Sequence, residues 1–220
     1  MIEDSKYKFL KFVDSRRIHV LMLSILMLVF IPPFFSEYKL LMEYFIKFDF
    51  LIIVVSSYLI IRKIILSRYI GYITFFLIIA DAFLKTNILN YLAQIGISYL
   101  IIHAFIMVLK EAMSLRGDTN NMILVSITGY MIIGLIGGFL AAGLEYMFPD
   151  SYFHSTGMTL ELYNYIYYSY VTMTTLGYGD IIPVSEKSQA LALILVISGQ
   201  LFLSIIIAIN IAKFMQKKVN

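Results

Sequence analysis

The chemically most pointed part of this sequence is one short string, Thr172-Met173-Thr174-Thr175-Leu176-Gly177-Tyr178-Gly179-Asp180. Its side chains do not suit nucleophilic, acid–base or phosphate chemistry, so what it offers is its backbone. Consecutive carbonyls can all point one way only if alternate residues reach left-handed conformations, and Gly177 and Gly179 permit that. Four copies of such a loop around an axis would present rings of carbonyl oxygens to a dehydrated cation. The Thr175 hydroxyl adds a ring at the inner end, and Tyr178 is placed to pack its ring outward and brace the loop.

The elements that must position this string follow from composition. Of 220 residues, 60% are hydrophobic and 14% charged, with the apolar residues in long runs. Helices that face lipid need about 20 apolar residues to cross a hydrocarbon layer of about 30 Å, and that is the pattern here. The fold class expected is an all-α membrane protein with six transmembrane helices, a re-entrant helix and a loop. Spans are predicted at about 18–35, 44–61, 69–84, 88–109, 122–148 and 188–212. The prolines Pro32 and Pro33 end the first. In the second, Lys47 and Asp49 are expected to snorkel to the interface. Only Lys85-Thr86-Asn87 separates the third from the fourth, which predicts an antiparallel hairpin. The stretch from about Leu160 to Thr174 is too short to cross, and an irregular Gly-rich backbone after it is tolerated at membrane depth only inside protein or beside water.

Counting Lys and Arg by loop puts 13 on one side and four on the other, so both termini are expected to be cytoplasmic. The segments expected are a cytoplasmic N-terminus (1–17), a four-helix domain (18–109), a linker (110–121) containing Arg116-Gly117-Asp118, a two-helix domain carrying the loop (122–213), and a short tail (214–220). The linker's first half suits a short amphipathic helix at the inner interface. No cleavable signal peptide is expected. With no Cys in the chain, disulfides and thiolate metal sites are excluded. After Ala212 eight residues follow, which predicts no ligand-binding domain on the last helix.

The string and its setting resemble the potassium channel superfamily, and the six-span count resembles its voltage-gated branch. The resemblance implies a homotetramer in the plasma membrane, with potassium as permeant ion, no cofactor and no enzymatic activity. It implies ion ligation by Thr175, Leu176, Gly177, Tyr178 and Gly179 of the selectivity filter, chiefly by the carbonyls of the first four and the Thr175 hydroxyl. Thr172, Thr174, Tyr167, Tyr168 and Asp180 would support the filter, and Gly199 would be the gating hinge. Pro183, three residues beyond Asp180, fits the same branch. Three features depart from the family pattern. Leu176 stands where Val or Ile is usual, Tyr167 and Tyr168 replace a Trp pair, and Ile206 lies where many relatives have a Pro-x-Pro kink.

The fourth span, Ile88 to Leu109, contains no Lys or Arg. Strong voltage gating takes roughly 3–4 charges per subunit, so little intrinsic voltage dependence is expected. Asp81 is read as an ion pair with Lys85, one helical turn away, and His103 as a neutral, hydrogen-bonded histidine. Gly134-x-x-x-Gly138 is read as packing against the last helix. Glu145, Asp150, Glu161 and Glu186 are expected near the outer entrance, and Lys213, Lys217 and Lys218 at the inner exit, where anionic lipid can touch them. Membrane lipid and further copies of the chain are the expected partners, and nucleic acid is not. The alternative reading is a weakly selective monovalent cation channel of the same architecture. The gating stimulus stays open between lipid, tension, pH, a separate regulatory subunit and constitutive opening.

Overall fold

The computed structural model describes residues 17–35, 37–61, 64–113 and 119–219. The N-terminal residues 1–16, the pair Arg62-Lys63 and the linker residues Arg116-Gly117-Asp118 lie outside them. The chain divides into two compact units, Met1–Lys110 and Glu111–Asn220.

The first unit contains α1 (Arg17–Phe30), a 3-10 turn at Pro32–Phe35, α2 (Lys39–Ile61), α3 (Ile65–Leu84) and most of α4 (Asn87–Met113). The prolines stop α1 just before the turn, slightly earlier than the end expected at 35. Lys85 closes α3 in a left-handed conformation (φ 49°) and donates its N–H to the Asp81 carbonyl at 3.0 Å. The buried residues of α3 are Ser67, Gly71, Thr74, Ile78 and Asp81, spaced by three and four so that they form one stripe. Gly71 and Asp81 of that stripe face α2, while Ser67 and Thr74 meet the antiparallel α4. The Ser67 and Tyr99 hydroxyls are 3.3 Å apart, and a Cβ on Gly96 would run into the Thr74 side chain. Tyr58 of α2 meets Tyr72 of α3 through their hydroxyls at 3.2 Å.

The polar residues of this unit depart from expectation. Asp81 pairs with Lys47 of α2 at 3.0 Å, not with Lys85, which instead reaches Glu43 at 4.0 Å. Lys47 also holds Glu43, one turn back, at 2.8 Å. A cation on the facing helix meets a buried carboxylate directly, whereas Lys85 sits past the end of α3 and stays exposed. Lys47 and Asp49 do not snorkel either. Lys47 is drawn inward by Asp81, and Asp49 faces the interior with 1% exposure. His103 is half-buried against Tyr99, ring centroids 4.7 Å apart. Among the described residues its ring makes no hydrogen bond.

The second unit contains α5 (Thr119–Met147), β1 (Tyr152–His154), α6 (Leu162–Met173), β2 (Ile181–Pro183) and α7 (Glu186–Val219). The strands pair antiparallel, Tyr152 opposite Pro183 and His154 opposite Ile181, a small sheet the all-helical expectation omitted. With 12 residues α6 is about 18 Å long, too short to cross a bilayer. Helix α7 continues to Val219 instead of ending near Ala212. The glycine row of α5 receives α6 more than α7. A Cβ on Gly134 would enter the Tyr170 ring, and one on Gly138 would lie 2.6 Å from the Ile166 Cα. Only Gly137 also meets Leu195 of α7. A short helix lying between the two long helices claims the notch first.

Helices α2, α3, α4, α5 and α7 are long and apolar enough to cross a membrane. Over its described residues α1 is apolar but shorter. The chain is thus mainly helical, with several helices suited to lipid.

Replacing Lys47 with Met strands a carboxylate whose side chain is 7% exposed. Breaking such a pair costs about 3 kcal/mol. Thermal unfolding in detergent is expected to fall accordingly, and Lys47→Met combined with Asp81→Leu should recover most of the loss.

Candidate functional site

The site is built from the end of α6. Its start is fixed by a capping box, in which the Glu161 side chain accepts from the backbone of Asn164 and the Asn164 amide oxygen accepts from the Glu161 N–H. Its flank is fixed on α5 by the Tyr170 hydroxyl, which donates to the Met131 carbonyl at 2.6 Å. Beneath its last turn the chain reverses tightly. Thr174 N–H and hydroxyl both donate to the Tyr170 carbonyl, at 3.0 and 2.7 Å. Thr175 N–H reaches the Thr172 carbonyl at 2.9 Å. Leu176 and Gly177 N–H groups share the Val171 carbonyl at 3.0 and 3.2 Å.

With those N–H groups turned back on the helix, the loop alternates in hand. Thr175, Gly177 and Gly179 have φ of 62°, 57° and 78°. Two of these are the glycines singled out by the string. The third is a β-branched residue, for which this conformation costs on the order of 1–3 kcal/mol. Among the described residues, no hydrogen bond reaches the carbonyl oxygens of Thr174 through Gly179. Leu176 and Tyr178 are 55% and 66% exposed, so neither side chain is covered within the chain. Tyr178 therefore does not brace the loop from inside its own chain.

The end of the loop at Asp180 is clamped from two directions. Asp180 accepts the Tyr167 hydroxyl on its carboxylate at 2.8 Å and the Ser155 N–H on its carbonyl at 2.8 Å. Ser155 follows β1, whose approach from α5 is organised by Glu145. The Glu145 carboxylate accepts N–H bonds from Asp150, Ser151 and Tyr152 at 2.9, 3.0 and 3.1 Å. Two of the four acids expected at the outer entrance, Glu145 and Glu161, thus hold backbone. Tyr168 is buried and packs edge-on against Tyr152, centroids 5.1 Å apart. Burial foremost, then Tyr168, Tyr165 and Glu145 nearby, pushes the Tyr152 hydroxyl up and keeps it protonated. Ser185 caps α7, exchanging 3.1 Å bonds with Ser188, whose hydroxyl donates to the Ser151 carbonyl at 2.7 Å.

Helix α7 returns past the base of the loop, and Gly199 is its point of nearest approach. A Cβ there would lie 2.7 Å from the Met173 carbonyl oxygen and would overlap the Met173 side chain. The helix is unbroken through Gly199. The residues assigned from the sequence to the filter, its support and the hinge are therefore in one neighbourhood. Thr172 and Thr174 lie at the turn, Thr175 to Gly179 in the loop, Tyr167 and Asp180 at its mouth, Tyr168 behind it and Gly199 below it. The sequence reading missed Tyr170, Ser155 and Met173, and saw Glu145 only as a surface charge. Tyr170 lies four residues from Ile166, and Gly134 four from Gly138, and that matched spacing was the available signal.

Residues 125–217 match a family model described as ion channel. The matched stretch starts in α5, ends in α7 and includes the whole loop, so most of the second unit is similar to an ion-channel domain. No curated protein and no solved structure matches the chain.

Gly199→Ala must displace the Met173 carbonyl, and overpacking of this kind costs about 1–3 kcal/mol. Thermal unfolding is expected to fall by that amount. Met173→Ala in the same chain relieves the side-chain overlap but not the carbonyl one, so it should restore only part.

Proposed function

We propose that the protein is a potassium-selective channel in which four copies surround one pore and the loop Thr175–Gly179 is the selectivity filter. The observation that carries this reading is the loop's alternating left-handed backbone together with its unpartnered carbonyls. A dehydrated cation on the four-fold axis supplies what those oxygens lack, with Thr175, Leu176, Gly177 and Tyr178 as carbonyl donors and the Thr175 hydroxyl as the innermost ring. The Tyr167–Asp180 bond supports the mouth, and the similarity of residues 125–217 to the ion channel family agrees with the assignment. Exposure of Leu176 and Tyr178, and of Leu193, Ile194, Ile197 and Leu201 along α7, leaves surfaces for neighbouring copies and lipid to cover.

The first unit then acts as a four-helix domain beside the pore in sequence, making six spans in the plasma membrane with both termini cytoplasmic. Its fourth helix lacks cationic side chains between Ile88 and Leu109, so conduction depends little on voltage. The protein performs no covalent chemistry in this reading and needs no cofactor, and its gating stays open between lipid, tension, pH, a separate subunit and constitutive opening.

Reconstituted protein in mixed potassium and sodium should reverse near the potassium equilibrium potential. A reversal potential near zero would instead make it a weakly selective cation channel. Gly177→Ala forbids the left-handed residue at the centre of the loop, and potassium preference is expected to drop at least about tenfold, a difference of about 1.4 kcal/mol. The conductance–voltage relation of the unaltered channel should be shallow, and a steep sigmoid would defeat the non-sensing assignment of α4.

A further inference from the structure

Asp49 is the eleventh residue of the 23-residue α2, about 15 Å from the helix start and so near mid-membrane. It is 1% exposed, and neither carboxylate oxygen has a hydrogen-bond partner. Its nearest cation in sequence, Lys47, is committed to Glu43 and Asp81. The other titratable side chains described on the helices of this unit can be named from the sequence. They are Arg17 and His19 on α1, Tyr44 and Tyr58 on α2, Arg68, Tyr69, Tyr72 and Asp81 on α3, and Tyr91, Tyr99, His103 and Lys110 on α4. None of them bonds Asp49. Asp81, the other buried carboxylate, differs because it has its cation.

An unpaired carboxylate in such a place is too costly to stay charged, and a proton is the smallest ligand that removes the charge. We propose that Asp49 is a proton-binding site, and that the packing of the first unit described above belongs to the protonated acid. Loss of the proton obliges the carboxylate to find water or a cation, which the described residues of the closed unit do not provide. Folding binds the proton and unfolding releases it, so the stability of the unit is full at low pH and falls as pH rises. With no Lys or Arg in the span of α4, this proton is a charge the unit can gain or lose at membrane depth. The inference does not rest on the pore reading.

The test uses the full chain in lipid nanodiscs and two variants, Asp49→Asn and Asp49→Glu. Infrared difference spectra should show a protonated-carboxyl C=O band in the wild type at neutral pH. That band should vanish in Asp49→Asn, shift in Asp49→Glu, and fade in the wild type as pH rises. The melting temperature of the wild type should fall with rising pH relative to Asp49→Asn. A wild type without the band, or melting profiles that run parallel in wild type and Asp49→Asn, would overturn the proposal. If Asp49→Asn does not fold, the Asp49→Glu band decides, and an unshifted band counts against the site. Potassium flux enters none of these readouts, so a failed pore reading leaves the outcome intact.

Discussion

A carbonyl oxygen away from water must find a donor or a cation, and six consecutive ones, from Thr174 to Gly179, have no hydrogen bond within the described chain. Where water is excluded, each would cost about 1–3 kcal/mol if left so. Left to itself, such a segment would curl into helix or turn and pair its own groups. The second unit is arranged to prevent that. The N–H groups of Thr174 to Gly177 are consumed by the end of α6, so they cannot satisfy the carbonyls of the loop. Alternating left-handed residues keep the loop from regular structure, and the strain at Thr175 is held by the bonds on either side. The short helix α6 is itself fixed by the glycine notches of α5 and by Tyr170 on Met131.

The first unit meets the same requirement with side chains. Lys47 and Asp81 neutralise one another across α2 and α3. The hydroxyls of Ser24, Ser56 and Ser98 return to carbonyls of their own helices three or four residues back. Asp49 has neither solution. The interior of this unit is thus polar at several points, in a helix cluster whose α4 carries no Lys or Arg between Ile88 and Leu109.

The helices and the loop were legible in the sequence because their signals are local. Long apolar runs, a Pro-Pro stop and glycines at alternate positions each act within a few residues. What stayed hidden depends on which faces meet. Asp81 has Lys85 one turn away and Lys47 far off in sequence, and only the facing of α2 and α3 makes the distant partner the nearer one. Asp49 looked close enough to an end to escape, because the start of α2 at Lys39 lies well before the first uncharged apolar run. The strand pair was invisible at three residues a side. Glu145 was read as an exposed charge, since a carboxylate that caps three N–H groups of an irregular loop has no spacing rule to reveal it. Thr175 is the subtler case. Its place at the inner end of the loop was clear, but its left-handed backbone runs against the preference of its own side chain.

The strand pair has a consequence for measurement of length. The base of the loop is gauged by α7, through Gly199 against Met173, while its mouth is gauged by the approach from α5, through Ser155 on Asp180. The two jaws of these calipers belong to different long helices. Any sliding of α7 along α5 would press Gly199 against the Met173 carbonyl at the base of the loop, while Ser155 holds Asp180 at its mouth. A backbone of alternating hand has few discrete ways to accommodate such a change, because single residues must flip rather than stretch. The spacing of the oxygens is thus tied to the relative height of two helices, as graduations on a scale are tied to its ends.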